Sequence, residues 1–260
     1  MKISIVQMDM TADAPEENFV HAEELICRAA EEKPDVILLP ETWNTGFRPH
    51  AALPPLCDRD GAQTKARIGA LARKYGINIA AGSVSNLHGE KVYNTALVFD
   101  RSGACIAEYD KLHLFTFGHE DQFYTPGDHV CTFRLDGRKC GLVTCYDIRF
   151  PELVRTLALQ GVELLFVPAQ WPAVRRYPWE TLLAARAIEN QFFVAACNSC
   201  AQDTQCGGSS RILDPLGAVL TSTGDQEEII SAEIDFSAIA SVRTAMNVFR
   251  DRRPELYQVN

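Results

Sequence analysis

Alternating hydrophobic and polar residues open this chain and predict a strand, a helix and a second strand. The first segment, KISIVQM, alternates apolar with polar positions before it becomes fully apolar, which is typical of a strand. From Glu16 to Glu32 the apolar residues recur on one helical stripe, and Pro34 ends the helix before the buried strand DVILLP. A second amphipathic helix is predicted over 61–75, closed by Gly76, and INIAAGSV follows as a strand.

The pattern of strands and helices continues to residue 235. Short strands separated by turn residues are predicted at 92–100, 104–109, 130–135 and 138–145. Two helices, each followed by a strand, are predicted at 151–160 and 178–190, with their strands at 163–168 and 192–198. Two or three short strands between 209 and 235 complete the predicted core. The arginine-rich tail RTAMNVFRDRRPELYQVN is expected to pack on a surface or against a partner subunit.

Two segments of the chain echo each other. DVILLPETW at 35–43 and LLFVPAQW at 164–171 each run an apolar strand into Pro, two further residues and Trp, and each follows a predicted helix. The echo indicates two related halves, packed as a two-sheet sandwich with the helices outside. No change of composition and no Gly-, Ser- or Pro-rich linker divides the chain, so we expect one domain over residues 1–260.

Composition and charge narrow the possible partners. The chain has 260 residues, 47% of them hydrophobic and 23% charged, as in an ordinary globular protein. Its net charge of −9 opposes binding to nucleic acid or to an anionic membrane surface, but not binding of a small anion. The opening MKISIVQMDM does not resemble a signal peptide, and no segment approaches the ~20 apolar residues that span a bilayer. Nine scattered cysteines, an odd number, favour reduced thiols in a cytoplasmic protein.

Four residues are candidates for chemistry, and each also has an ordinary structural interpretation. Cys145 follows an apolar strand just before a helix predicted to begin at Pro151, where α/β proteins form ligand sites and helix amides stabilise a thiolate. Alone, it could equally be a buried structural thiol. Glu41, after the strand VILLP, is either a base or a turn-capping residue. Lys111, between apolar residues, and Glu120, in a loop, carry no signal alone.

Taken together, these segments resemble the nitrilase superfamily, the carbon–nitrogen hydrolases. LLPETWNTGF, YDKLHLF, the glutamate of GHEDQFYTPG and GLVTCYDIRFPEL match, in order, the signatures of that family. The opening KISIVQMD and the segments PAQWP, ARAIENQFFVAACN and GGSSRILDPLG extend the resemblance over essentially the whole chain. Four motifs in order identify the chain as a member far more strongly than any one of them would.

The resemblance implies a fold, an assembly and a catalytic set. The fold is an α/β fold, a four-layer αββα sandwich, which pairs into a larger αββα–αββα homodimer or a higher homo-oligomer. Glu41, Lys111 and Cys145 would form the catalytic triad, with Glu120 as a fourth member. Lys111 and the backbone N–H of Tyr146 are expected to stabilise the oxyanion. Because cysteine and carboxylate suffice for this chemistry, neither a metal nor an organic cofactor is expected.

Within that family, the residues after the cysteine favour amides over nitriles. True nitrilases typically carry Trp-Glu there and a longer C-terminal extension, whereas this chain has Tyr146-Asp147 and ends at 260. The chain is most similar to the bacterial omega-amidase group, whose substrates are ω-amides of 2-oxo dicarboxylic acids such as 2-oxoglutaramate. Such a substrate carries a free carboxylate, which arginine would pair with. The candidate substrate-binding residues, each of which could instead belong to the core, a helix entry or a dimer contact, are Trp43, Phe47, Trp171, Arg175 and Arg176.

Other functions are weighed against this one. An N-carbamoyl amino-acid hydrolase or an aliphatic amidase would use the same triad with a different pocket. A non-catalytic family member would act as a binding or scaffold protein, but the retention of all four catalytic residue types argues against it. A zinc or redox site at Cys197 and Cys200 lacks partner ligands, and CGGSSR lacks the lysine of a phosphate loop. A Cys–His protease dyad would leave Glu41 and Lys111 without a role.

Overall fold

Two β-sheets face each other in the computed structural model, which describes residues 1–200 and 205–257. Within those ranges the chain forms thirteen strands: β1 Lys2–Gln7, β2 Val36–Leu38, β3 Asp58–Arg59, β4 Asn78–His88, β5 Lys91–Phe99, β6 Cys105–Asp110, β7 Cys131–Leu135, β8 Arg138–Leu142, β9 Leu164–Ala169, β10 Phe193–Asn198, β11 Arg211–Leu213, β12 Val219–Ser222 and β13 Glu228–Glu233. The described α-helices are α1 Pro15–Glu31, α2 Ala62–Tyr75, α3 Pro151–Leu159, α4 Arg176–Asn190 and α5 Ser237–Ala245.

The two sheets repeat one arrangement. One has the strand order β13-β1-β2-β4-β5-β6, with β3 paired to β4, and the other has the order β12-β11-β10-β9-β8-β7. At the centre of the first, β1, β2 and β4 are parallel and are connected through α1 and α2. At the centre of the second, β8, β9 and β10 are parallel and are connected through α3 and α4. Parallel neighbouring strands require such crossover connections, so the two halves of the chain have the same strand–helix–strand connectivity at their centres.

Side chains from both sheets meet in a shared core. Ile5 and Leu38 of the first sheet lie in one buried cluster with Leu142 and Phe166 of the second. Successive strand residues point to opposite faces, so the neighbouring Val6 packs outward in the cluster that includes residues of α1 and α2. The outer face of the second sheet is covered in the same way by α3 and α4. The layers are therefore α, β, β and α, as the resemblance implies.

Most element boundaries fall within a few residues of the predicted ones. The two-residue strand β3 is absent from the predicted pattern. The strand predicted over 138–145 is too long, because β8 ends at Leu142 and Cys145, with a φ of +49°, begins a 3₁₀ helix. Helix α5 is missing from the predicted pattern because Ile239 is its only buried residue, so no apolar stripe marks it. The predicted surface packing of the tail is confirmed at Phe249, which packs half-buried against the cluster of α3 and α4.

The two echoed segments meet at one end of the sandwich. The backbone N–H of Glu41 donates to the carbonyl oxygen of Ala169 at 3.4 Å, just past the ends of β2 and β9. The strand β4 passes so close that a Cβ at Gly82, whose φ is +59°, would lie 1.9 Å from the carbonyl oxygen of Pro40. Only glycine fits at that position, which lets the turn that carries Glu41 settle on the sheet.

Candidate active site

Three of the four candidate catalytic side chains form one buried ionic cluster. The ammonium nitrogen of Lys111, directly after β6, donates to Oε1 of Glu41 at 2.8 Å and to Oε2 of Glu120 at 2.8 Å. The exposed fractions of these side chains are 1% for Lys111 and 0% for each glutamate, so water does not screen the cluster. Burial alone would lower the pKa of Lys111, but the carboxylates of Glu120 and Glu41 outweigh it and hold that pKa well above its ordinary value. Lys111 therefore keeps its charge.

Glu120 is fixed by its backbone neighbours as well as by Lys111. Its Oε2 accepts a hydrogen bond from the backbone N–H of Phe115 at 2.6 Å. Burial raises the pKa of the Glu120 carboxyl above its ordinary value, although the charge of Lys111 opposes that shift. With two carboxylates and one ammonium, the cluster carries an excess negative charge when both glutamates are ionised.

The thiol of Cys145 lies on a sharp turn beside Glu41. Cys145 is 8% exposed and lines the pocket, where the charges of both Glu41 and Lys111 act on its thiol. Burial, followed by the negative charge of Glu41, raises the pKa of Cys145 well above its ordinary value, against the opposing effect of Lys111. The resting group is therefore a thiol next to a carboxylate, and not the pre-formed thiolate that a helix N-terminus would favour.

Asp147 holds the turn that presents Cys145. This fully buried carboxylate accepts hydrogen bonds from the backbone N–H of Thr144 at 2.9 Å, the hydroxyl of Tyr109 at 2.7 Å and the backbone N–H of His113 at 2.9 Å. The bonds to Tyr109 and His113 join the nucleophile turn to the segment that carries Lys111. Asp147 thus acts behind the pocket, whereas its neighbour Tyr146 lines it.

A pocket with a volume of about 180 Å³ opens above Cys145. That volume suits a small metabolite and lies below the range of about 300–1,000 Å³ typical of drug-sized ligands. The described residues that line it are Phe47, Lys111, Phe115, Cys145, Tyr146, Arg149, Gln170, Trp171, Pro172, Arg175 and Cys206.

The candidate substrate-binding residues divide between this pocket and other places. Phe47, Trp171 and Arg175 line the pocket. Trp43 does not, because its fully buried ring packs edge-on against Phe19 of α1, and its indole N–H donates to the carbonyl oxygen of Ala81. Trp43 belongs to the core, so its interpretation as a pocket residue is wrong.

Arg176 is the second correction. It pairs with Asp225 and donates to the carbonyl oxygen of Gly207 at 2.8 Å, away from the pocket lining. Adjacent residues at a helix start point about 100° apart, and here Arg175 faces the pocket while Arg176 does not. Arg176 is a structural residue at the entry of α4.

Three functional positions escape the sequence-based prediction. Arg149 lines the pocket, with its guanidinium 4.8 Å from the ring centroid of Trp171. Gln170 fixes the base, because its backbone N–H donates to Oε2 of Glu41 at 2.7 Å. Asn94, in β5, donates from its side-chain amide to both catalytic-site glutamates. Arg149 lies in the motif GLVTCYDIRFPEL and Gln170 in PAQWP, so the motifs could have indicated both residues. For Asn94 the sequence shows only the alternation of a strand.

Two guanidinium groups give the pocket a positive wall. Arg175 lies over the ring of Phe115 at 5.4 Å and over that of Phe117 at 4.5 Å, while Arg149 stacks on Trp171. Within residues 1–200 and 205–257, neither Arg149 nor Arg175 forms an ion pair with a protein carboxylate. Stacking on aromatic faces leaves the edge N–H groups of each arginine available for a bound anion.

Comparison with known proteins places the chain in a family. The carbon–nitrogen hydrolase family model matches residues 2–244. The chain belongs to the carbon–nitrogen hydrolase family. This carbon–nitrogen hydrolase is 42% identical over 257 residues to the 2-oxoglutaramate amidase of Bacillus subtilis (strain 168), with 98% of each chain covered. It is 34% identical over 275 residues to the chloroplastic omega-amidase of Arabidopsis thaliana. That match covers 99% of this chain and 73% of the relative.

Solved structures agree with that assignment. A carbon–nitrogen hydrolase superfamily protein from Xanthomonas campestris matches with a TM-score of 0.90 at 30% identity, over 100% of this chain and 98% of that one. The family and the αββα fold implied by the sequence motifs are therefore confirmed, and the chain is a hydrolase of this family. In the described ranges, no group of three His, Cys, Asp or Glu side chains could hold a metal ion. No helix there has the length and apolar character needed to cross a membrane.

Proposed function

We propose that this carbon–nitrogen hydrolase is an omega-amidase, which releases ammonia from the ω-amide of a small 2-oxo dicarboxylic acid such as 2-oxoglutaramate. The observation that carries the proposal is the pairing of a nucleophilic thiol with a positive wall in one small pocket. Arg149 and Arg175 supply partners for a substrate carboxylate, while Cys145 and the ionic cluster lie below them. The 42% identity to a relative named 2-oxoglutaramate amidase supports the same substrate class.

Formation of a thioester is the first half of the proposed reaction. Glu41 accepts the proton of the Cys145 thiol as the sulfur attacks the amide carbonyl carbon. The developing oxyanion is stabilised by the charged Lys111 and by the backbone N–H of Tyr146, each such donor commonly contributing ~3 kcal/mol. Glu41 then returns the proton to the amide nitrogen, the C–N bond breaks and ammonia leaves. An acyl group remains on the sulfur.

Hydrolysis of the thioester completes the proposed cycle. Glu41, ionised again, takes a proton from water, and the resulting hydroxide attacks the thioester carbonyl. The carbon–sulfur bond breaks, the acid product leaves, and the proton on Glu41 returns to the thiolate. Glu120 does not touch the reacting atoms in this scheme, and instead it holds Lys111 in place through contacts of 2.8 and 3.1 Å.

Ammonia release from three substrates tests the function. We expect the purified enzyme to hydrolyse 2-oxoglutaramate with a kcat/KM at least about tenfold higher than for an N-carbamoyl amino acid or a simple aliphatic amide, since both arginines would engage its carboxylate. Preference for the carbamoyl substrate or the neutral amide would instead favour the second candidate function, a family member with the same triad and another specificity. No turnover of any of the three would contradict the proposal.

The pocket arginines provide a substrate-specific prediction. Replacing Arg149 or Arg175 by methionine is expected to raise KM for 2-oxoglutaramate roughly tenfold to a hundredfold, because a charge-assisted hydrogen bond is lost, with a smaller effect on kcat. The kcat/KM for a neutral aliphatic amide should change little, so the two substrates are compared in each variant. Arg176→Met, outside the pocket, is the matched control. Equal losses on both substrates would show that the arginines do not select the carboxylate.

Three further expectations belong to the same proposal. The family resemblance favours a homodimer or a higher homo-oligomer, the lack of a linker or a change of composition favours a single domain over residues 1–260, and a cytoplasmic location is expected. The scattered cysteines support the last of these, because none of the nine sits in an obvious disulfide framework in the sequence. Light scattering on the purified protein measures the oligomeric state, and a monomer at micromolar concentration would contradict the expected assembly.

A further inference from the structure

Asn94 touches all three members of the buried ionic cluster. Its backbone carbonyl oxygen accepts a hydrogen bond from the backbone N–H of Lys111 at 2.9 Å, which sets the position of the lysine beside β5. Its side-chain amide nitrogen donates to Oε1 of Glu41 at 2.8 Å and to Oε1 of Glu120 at 3.0 Å. The residue is fully buried. One side chain thus bridges the two carboxylates that the mechanism must keep in different roles.

A count of lone pairs on Glu41 shows what this bridge does. Each carboxylate oxygen has two lone pairs in its plane. On Oε1 of Glu41, one is used by the ammonium of Lys111 at 2.8 Å and the other by the amide of Asn94 at 2.8 Å. On Oε2, the backbone N–H of Gln170 uses one at 2.7 Å. Among the described residues, none uses the second lone pair of Oε2, which is therefore the open acceptor position of this carboxylate.

The other end of the Asn94 side chain indicates why an amide stands there. Its carbonyl oxygen, Oδ1, is buried and has no hydrogen-bond partner within the described part of the chain. An unpaired buried acceptor lowers the stability of the fold. Stability therefore does not explain the asparagine at this position. Its N–H groups, by contrast, are both engaged with carboxylates. At this position the amide acts as an uncharged donor of two hydrogen bonds, one to Glu41 and one to Glu120.

We propose that Asn94 is a positioning residue that blocks Oε1 of Glu41 and so directs the thiol proton of Cys145 to Oε2. As a neutral donor, it also favours the ionised form of both glutamates without adding a charge that would compete with Lys111. The inference rests on the proposed mechanism, in which Glu41 accepts the thiol proton. It assigns to Asn94 no contact with the substrate.

The pH dependence of Cys145 alkylation tests this role without any amide substrate. Iodoacetamide modification of Cys145 is followed by mass spectrometry of its peptide, in the parent enzyme and in Asn94→Leu, which has a similar volume and no donor. Because the ionised base loses a hydrogen bond, we expect the acid limb of the rate profile to move up by about one pH unit. The alkylation rate on that limb should fall about tenfold. The acid limb of kcat/KM should move equally, with KM nearly unchanged.

Matched variants separate positioning from general damage. Asn86→Leu removes a buried asparagine of the neighbouring strand β4, whose side chain donates to the Thr95 hydroxyl and accepts from the backbone N–H of Gly61, and not from or to the ionic cluster. This control should leave the acid limb in place. If Asn94→Leu does not fold, Asn94→Ser keeps one short donor and should shift the limb by less than one unit. An unmoved limb in a folded Asn94 variant overturns the inference. If Glu41→Gln leaves the parent profile unchanged, the proposed mechanism itself is wrong, which distinguishes the two failures.

Discussion

Replacing Cys145 by alanine is expected to abolish amide hydrolysis, with a loss of roughly 10⁴-fold or more in kcat. The thiol lines the pocket together with Lys111, and Lys111 is ion-paired with the buried carboxylate of Glu41. Without the sulfur no thioester forms, and water would have to attack an unactivated amide directly. The ionic cluster below would remain intact, because Lys111 and both glutamates bond to one another and not through the sulfur.

Two measurements make the Cys145 prediction specific. Ammonia release from 2-oxoglutaramate gives the rate, and mass spectrometry of acid-quenched parent enzyme should reveal the acyl group on the Cys145 peptide. Cys27→Ala, in α1 and remote from the pocket lining, is the control and should keep full activity. Turnover by Cys145→Ala at more than about a hundredth of the parent rate would show that another group is the nucleophile.

Hydrophobic periodicity is sufficient to predict the sheet and helix layers. Each layer depends on a regular spacing of apolar and polar residues that the sequence displays. Ile5 and Val6 point to opposite sides of one strand, and the helices α1 and α2 show one apolar stripe each. Helix α5 shows the limit of this approach. Because only Ile239 is buried, the position of α5 depends on contacts with residues distant in sequence. The hydrophobic periodicity of the helix does not predict those contacts.

The candidate catalytic residues are recognisable from the order of short motifs, whereas only some of the residues that line the pocket are predictable. Trp43 and Trp171 occupy equivalent places in the two echoed segments, yet one packs under α1 and the other lines the cavity. Arg175 and Arg176 are adjacent, and the start of α4 turns only the first toward the pocket. Such choices depend on side-chain direction after folding, as does the bridge made by Asn94, and a single sequence does not specify that direction.

Replacing Lys111 by methionine is expected to reduce both catalysis and stability. Loss of an oxyanion donor should lower kcat by about 10²–10³-fold. Removing the cation also leaves Glu41 and Glu120 as two buried carboxylates without their shared partner, which should cost about 3–5 kcal/mol in the free energy of unfolding. Denaturant unfolding and ammonia release are measured on the same preparations.

The stability deficit of Lys111→Met should depend on pH with a defined sign. Burial already raises the pKa of Glu120, and the loss of the opposing lysine charge raises it further. The folded variant then holds a proton on Glu120 more tightly than the unfolded chain, so its free energy of unfolding is highest below the ordinary glutamate pKa of about 4.3. It falls as pH rises through the raised folded-state value. The gap to the parent enzyme should therefore widen with increasing pH.

A double variant separates the electrostatic cause from the catalytic one. In Lys111→Met/Glu120→Gln the second carboxylate becomes a neutral amide of nearly the same shape, whose single oxygen can still accept from the backbone N–H of Phe115. We expect most of the lost stability to return and its added pH dependence to disappear, because only one buried carboxylate remains. Activity should stay low, since no ammonium faces the oxyanion. If the double variant were as unstable as Lys111→Met, lost packing of the lysine stem, and not carboxylate repulsion, would be the cause.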